Sequence, residues 1–249
     1  MDERIQNSVV ANLRTRPQAT EVGPFIAGLD PGTDSQWVNY ATPRPHATIT
    51  AADVDALIET FLEAGRKPRL EYVTSTAPEL ENMLLAAGFT VEARHEYLIC
   101  TPSRLTASPV PSGLSLAEPT TDPDRAALAA ATGEAFGEAP QASEADVARL
   151  RRNQERGGIP LAALTENGHC AGGGQAMPPQ DGTSEIGGIG VREPFRGRGL
   201  GQAITAGLAE RLFARGVEIA WLEASGEDSW RVYERVGFRP AGKRLYISR

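Results

Sequence analysis

Apolar residues recur at helical spacing over 122–136 and 143–157, and Thr121 or Asp122 is placed to cap the first of these two stretches. Two short apolar runs, 159–164 and 169–177, are separated by "TENG". That composition marks a hairpin turn, so the runs predict two antiparallel strands. "PPQDG" then turns the chain into a third strand at 183–191. A glycine-rich loop follows, then a helix over 200–215, a strand at 217–224, a short helix over 228–236 and a last strand near 244–248. The alternation predicts an α/β fold with a mixed sheet, of the α+β kind.

Between residues 101 and 113 the periodicity stops. "TPSRLTASPVPSG" carries four serines or threonines after its first residue and three prolines, the composition of a linker. It divides the chain into parts 1–104 and 113–249, with 105–112 as connector. The first part echoes the end of the second. "EYVTSTAPELENMLLAAGFTVEARHEYLIC" (71–100) aligns without gaps to "AWLEASGEDSWRVYERVGFRPAGKRLYISR" (220–249), with Gly88-Phe89 on Gly237-Phe238 and Tyr97 on Tyr246. Both read strand, short helix, Gly-Phe, strand. A helix over 51–64 precedes the first copy, as the helix over 200–215 precedes the second. Self-similarity of this kind predicts duplication.

Composition narrows the functional classes. The 249 residues are 41% apolar and 23% charged, as in an ordinary globular protein. The first segment, "MDERIQNSVVANLRTR", lacks the apolar run of a signal peptide, and nothing later approaches a membrane span. Cys100 and Cys170 lie far apart without CxxC spacing, and His46, His95 and His169 form no ligand cluster. Buried thiols, no metal and a cytoplasmic location are expected. The net charge of −7 argues against a nucleic-acid partner.

The segment "VREPFRGRGLGQAI" (191–204) carries the most chemical information. No lysine completes a GxxxxGK[ST] phosphate loop. A GxGxxG frame fails as well, because Gln202 or Ile204 stands at its sixth position. What remains is strand, Pro194, Arg-Gly-Arg-Gly-Leu-Gly, helix. Free amides at a helix start attract an anion, and glycines let the backbone approach it. A phosphorylated ligand, most readily a diphosphate, fits that arrangement; so does a sharp turn with solvated arginines. In the preceding strand, "SEIGGIGV", Gly187, Gly188 and Gly190 mark a bulge or a close ligand approach.

Arg196-Gly197-Arg198-Gly199-Leu200-Gly201, after "IGVREPF", resembles the acyl-CoA loop Arg/Gln-x-x-Gly-x-Gly/Ala of the GCN5-related N-acetyltransferase (GNAT) superfamily. "VYERVGF" (232–238) is similar to the superfamily's second signature, an apolar residue followed by Tyr-x-x-x-Gly-Phe. The resemblance covers roughly residues 111–249 and implies the acyl-CoA N-acyltransferase fold with acetyl-CoA as acyl donor. It implies that Ile189, Gly190 and Val191 contact the pantetheine arm, with a backbone N–H there stabilising the oxyanion. It also places Tyr233 as the acid that protonates the leaving thiolate. Glu185 is the base expected to take the amine's proton, with Glu223 and Glu138 as alternatives. Gly226 and Ser229 depart from the common Asn and Ala, so a cofactor contact through Ser225 or Ser229 is less secure.

The first copy keeps the tail of this architecture without its chemistry. Leu84 stands where Tyr233 stands, and "YATPRPHATIT" puts prolines where the amide pocket would be. Residues 1–104 are thus expected to form a truncated, non-catalytic GNAT-like domain. Trp37, Tyr40 and Trp230 are available to line an acceptor cleft, although core packing is the commoner use of such residues and the one expected for each. The function expected is acetyl transfer to the primary amine of a small molecule, by direct attack on the thioester. The alternatives are a protein lysine or N-terminal acetyltransferase and a non-catalytic acyl-CoA-binding regulator. A homodimer is compatible with this reading and not required by it.

Overall fold

Apolar runs bounded by glycine turns give this chain eleven strands and seven α-helices among its described residues. The computed structural model describes residues 1–224 and 226–249, and Glu227 and Asp228 through their backbone alone. In chain order the elements are α1 (Asp2–Leu13), β1 (Gln18–Val22), β2 (Phe25–Leu29), β3 (Tyr40–Pro43), α2 (Ala51–Glu63), β4 (Arg69–Val73), α3 (Leu80–Ala86) and β5 (Thr90–Cys100). Then come β6 (Leu114–Ala117), α4 (Asp122–Ala135), α5 (Glu144–Glu155), β7 (Ile159–Thr165), β8 (Cys170–Ala176) and β9 (Thr183–Val191). The series closes with α6 (Leu200–Ala214), β10 (Ile219–Glu223), α7 (Glu227–Val236) and β11 (Arg239–Ser248).

Two compact units result. The first comprises Met1–Tyr97 together with Ala241–Arg249, and the second Leu98–Pro240. In the first unit β1, β2 and β3 form an antiparallel meander. β3 then meets β4 in parallel through one registered pair, Ala41 with Leu70. β11 runs antiparallel to β4, from Arg244 opposite Val73 to Ser248 opposite Arg69. One face of this sheet carries Phe25, Ala27, Leu70, Tyr72, Leu245 and Ile247, buried with Val54, Leu57 and Phe61 of α2 and Leu80 and Leu84 of α3. Alternation sends the intervening residues to the other face. There Gly28 meets Leu13 of α1, so close that a Cβ on Gly28 would come within 2.6 Å of the leucine.

The second unit is an antiparallel meander of β6, β7, β8 and β9, with β10 parallel to β9. Its core is largely aliphatic. Leu200, Ile204, Leu208 and Leu212 recur every fourth residue along α6 and are buried together, a stripe worth roughly 1.5–3 kcal/mol per side chain removed from water. Leu98 and Cys100, at the end of β5, belong to this core.

The repeat appears as backbone geometry. α3 and α7 both end on a left-handed glycine, Gly88 at φ 86° and Gly237 at φ 108°. In each case the next residue closes the same bond. The Phe89 N–H donates to the Leu84 carbonyl and the Phe238 N–H to the Tyr233 carbonyl, both at 3.0 Å. Leu84 and Tyr233 therefore occupy equivalent positions.

Two features differ from local expectation. The stretch 105–112 does not hang free: Leu105 packs against the core of the second unit, and Thr106 N–H donates to the Val236 carbonyl at 3.0 Å. β11 is longer than the expected 244–248, and its residues from Ala241 onward complete the first unit. Local pattern identifies a strand, but the partner it pairs with is chosen by the whole fold.

Candidate active site

The site of the second unit is organised by the divergence of two parallel strands. β9 and β10 are paired only at Thr183–Ile219, Ser184–Ala220 and Glu185–Trp221. Beyond Glu185, β9 keeps its antiparallel partner β8 and loses β10. Its register against β8 slips on the way, since Gly173 faces Gly190 and Gln175 faces Gly187. Between those pairs one residue of β8, Gly174, stands against two of β9, Gly188 and Ile189, which is a β-bulge. Gly188 sits in it at φ 62°, a conformation that favours glycine. Gly190 allows close approach of α4, because a Cβ there would lie 2.9 Å from Ala135 Cβ and 3.1 Å from Thr132 Cα.

β9 leads through a short 3₁₀ turn, Glu193–Phe195, into α6. The N-cap is Gly199, left-handed at φ 82°, and no side chain caps the helix. No acidic residue stands in its first turn. The amides that open a helix have no intrahelical acceptor, so here they carry the positive end of the helix dipole outward. The space before them is open: a Cβ at Gly197 or Gly201 would meet nothing within 4 Å. Leu200, by contrast, is buried and fastens the helix start to the core.

The loop arginines also hold the scaffold. Arg196 Nε donates to the Val191 carbonyl at 2.9 Å and Nη2 to the Ala135 carbonyl at 3.3 Å, tying the end of β9 to the end of α4. Arg198 Nη2 donates to the Ser112 carbonyl at 3.4 Å. Arg192, absent from the expected set, has its guanidinium 3.1 Å from Glu134 and hydrogen-bonded to His169 Nε2 at 2.7 Å. Ile189 and Val191 are half-buried against the core, on either side of Gly190.

Tyr233 lies on α7, its ring edge-on to Phe238 with centroids 6.4 Å apart. Burial pushes its phenol pKa above the ordinary value, so the hydroxyl keeps its proton at neutral pH. Glu185 is half-buried at the last registered pair before the strands part. Glu223 ends β10 and is also half-buried. Ser229 Oγ accepts from the Gly226 N–H at 3.1 Å and so fastens the start of α7. Ser225, the other candidate contact, lies outside the described residues.

A cavity of about 170 Å³ opens among α4, α5 and the bulge, lined by Leu128, Thr132, Phe136, Glu138, Gln175 and Gly188 among others. Glu138 is the only one of the expected carboxylates that lines it. Phe136, 63% exposed, stands at the cavity although it closes an otherwise helical pattern. Sequence reasoning missed Thr132, Phe136 and Gln175, because two helices and two strands must assemble before they share a wall. The exposed phenylalanine directly after a helix was the available signal.

The aromatic residues expected at a cleft serve their own units. Tyr40 is buried in β3, and Trp230 packs against the core of the second unit. Trp37, 57% exposed, covers the Arg69 guanidinium at 4.6 Å. Arg69 is itself fully buried, bonded to Glu71, to Glu92 Oε2 at 2.8 Å and to the Gln36 carbonyl at 3.0 Å. Among the described residues no group of three or more His, Cys, Asp or Glu could hold a metal ion, and no helix is long and apolar enough to cross a membrane.

Residues 126–238 match the model of the acetyltransferase (GNAT) family. The chain is similar over its whole length to a solved GCN5-related N-acetyltransferase from Kribbella flavida, with TM-score 0.81, 22% identity and 95% of that chain covered. A GCN5-related N-acetyltransferase from Sphaerobacter thermophilus superimposes at TM-score 0.64 and 18% identity, over 91% of this chain and 76% of that one. A tandem GNAT protein from the clavulanic acid biosynthesis pathway does so at TM-score 0.63 and 16% identity, over 90% and 78%. No curated protein matches significantly.

Proposed function

Starting from residues 126–238 as a GNAT acetyltransferase domain, we propose that the protein transfers an acetyl group from acetyl-CoA to the primary amine of a small molecule. One observation carries the reading: β9 parts from β10 beyond Glu185 and runs into a helix start that no side chain caps. The gap suits an extended amide chain hydrogen-bonded to β9 as an added strand, and the amides of α6 suit its diphosphate. Gly197, Gly199 and Gly201 leave room for the backbone to close on phosphate. Arg196 and Arg198 keep the loop in place and add positive charge. Ile189, Gly190 and Val191 line the path of the arm, in a unit we take to be the catalytic one.

The reaction is direct. The amine nitrogen attacks the thioester carbon, the carbonyl oxygen takes the negative charge, and the C–S bond then breaks to give an amide and a free thiol. An alkylammonium of pKa about 10 must first lose its proton, and a thiolate of pKa about 8.5 must gain one. Glu185 is assigned the first proton, which its half-buried place at the fork supports. Tyr233 is assigned the second, and its protonated state at neutral pH supports that role. A backbone N–H at the bulge, fixed before reaction, is assigned to the oxyanion. The cavity that reaches Gly188 is assigned to the acceptor, and its size favours a small amine over a polypeptide segment.

Calorimetry with acetyl-CoA, followed by an amine screen read as free-thiol release, tests the proposal. Binding of acetyl-CoA with turnover on at least one small amine is the expected result. Absence of acetyl-CoA binding would refute the assignment of the loop. Binding without thiol release across the screen would favour the non-catalytic regulator.

A further inference from the structure

Gln6, on α1, is fully buried, and its carboxamide is hydrogen-bonded through both its nitrogen and its oxygen. Its Nε2 donates to Thr42 Oγ1 and to the Pro43 carbonyl, both at 2.7 Å. Its Oε1 accepts from the Val73 N–H at 2.9 Å. Thr42 Oγ1 in turn donates to the Glu71 carbonyl at 2.7 Å. These partners lie on β3 and β4, the two parallel strands of the first unit, whose only registered pair is Ala41 with Leu70. Past that pair the strands are bridged by side chains, Thr42 to the Glu71 carbonyl and Gln6 between the Pro43 carbonyl and the Val73 N–H.

The location has a counterpart. The order β3, α2, β4 in the first unit repeats β9, α6, β10 in the second, and β4 continues into the self-similar segment that contains Gly88-Phe89. The wedge that Gln6 fills is therefore the first unit's equivalent of the fork between β9 and β10. A carboxamide offers one acceptor and a pair of donors, which are the groups an amide-bearing ligand would present to the same backbone. Ile5, Val9 and Leu13, buried on the same helix, hold it in place.

We propose that the first unit retains the ligand fork of an acyltransferase and keeps it sealed with its own helix α1, Gln6 taking the place of the ligand's amide, so that one chain binds one acetyl-CoA. The stoichiometry rests on the reading of the second unit; the seal does not. The Val73 N–H and the Pro43 and Glu71 carbonyls, which face the wedge, are already satisfied internally. Removing Gln6 would leave the Val73 N–H and the Pro43 carbonyl buried without partners, which is more costly than never having buried them.

Hydrogen exchange on the intact chain tests the seal. The Val73 amide should be protected like core amides in the wild type. In Gln6→Leu it should exchange roughly tenfold faster or more, measured against Leu57 of α2. Equal Val73 rates in the two proteins would overturn the proposal. Should the leucine variant fail to fold, calorimetric titration of the wild type with acetyl-CoA decides: one equivalent per chain supports the seal, and two overturn it. Zero equivalents would sink the reading of the second unit, and wild-type protection of Val73 would still decide the seal, an unprotected amide overturning it.

Discussion

The helices α2 and α6 follow the first strand of the parallel pair in their respective units, yet they begin in opposite ways. α6 begins at a bare left-handed glycine with no acid in its first turn. α2 begins with a capping box. Asp53 N–H donates to Thr50 Oγ1 at 3.2 Å, and Thr50 N–H donates to Asp53 Oδ2 at 2.8 Å. Those hydrogen bonds hold the Asp53 carboxyl below its ordinary pKa, so a negative charge stands at the helix start. One helix end is left open to an anion; the other already has one. The same fold element thus starts either uncapped, with its amide dipoles open to solvent, or closed by its own side chains.

The contrast yields predictions in matched pairs. The largest effect is expected at Tyr233: Tyr233→Phe should lower kcat about 10²- to 10⁴-fold while acetyl-CoA affinity stays within a few-fold. A wild-type kcat would remove the tyrosine's role as acid. Its structural equivalent, the fully buried Leu84, should behave oppositely. Leu84→Ala should cost about 2–5 kcal/mol of stability, read by denaturant titration, with no loss of turnover in the protein that remains folded. Gly199→Asp should weaken acetyl-CoA binding by roughly a hundredfold or more, because a carboxylate then faces the diphosphate and a left-handed residue gains a Cβ. Unchanged calorimetric affinity would dissolve the distinction between the two helix starts. The smallest effect is expected at the sealed end, where Thr50→Ala should cost about 1 kcal/mol of stability and leave acetyl-CoA binding untouched. A new binding event in that variant would show that the capping box acts as a gate.

Much of the second unit was legible in its sequence because its signals are local. Gly88 and Gly237 end helices through their own backbone conformations, so the duplicated Gly-Phe was visible before any tertiary contact was known. The loop from Arg196 to Gly201 was legible for the same reason. Residues 1–50 were not. α1 buries Gln6, Ser8 and Asn12 along with its apolar residues, which blurs its periodicity, while β1 is a largely exposed polar strand. A buried glutamine makes sense only once Thr42, Pro43 and Val73 are in place, and they are brought to it from 36 to 67 residues away. The cavity beside Glu138 was hidden for a related reason, since its walls come from four elements. The hydrogen bonds of Arg196 and Arg198 to backbone carbonyls were equally beyond a reading that assigned them by charge.

The placement of Ala241–Arg249 in the first unit has a consequence for biosynthesis. Domains generally fold in the order in which they leave the ribosome, the earlier one first. Here the first unit lacks an interior strand until residues 241–249 have been made, because Leu245 and Ile247 fill its core and Arg244 joins Glu71 beside Arg69. A stop codon in the 240s would therefore expose the part of the chain synthesised first, although its own codons are intact.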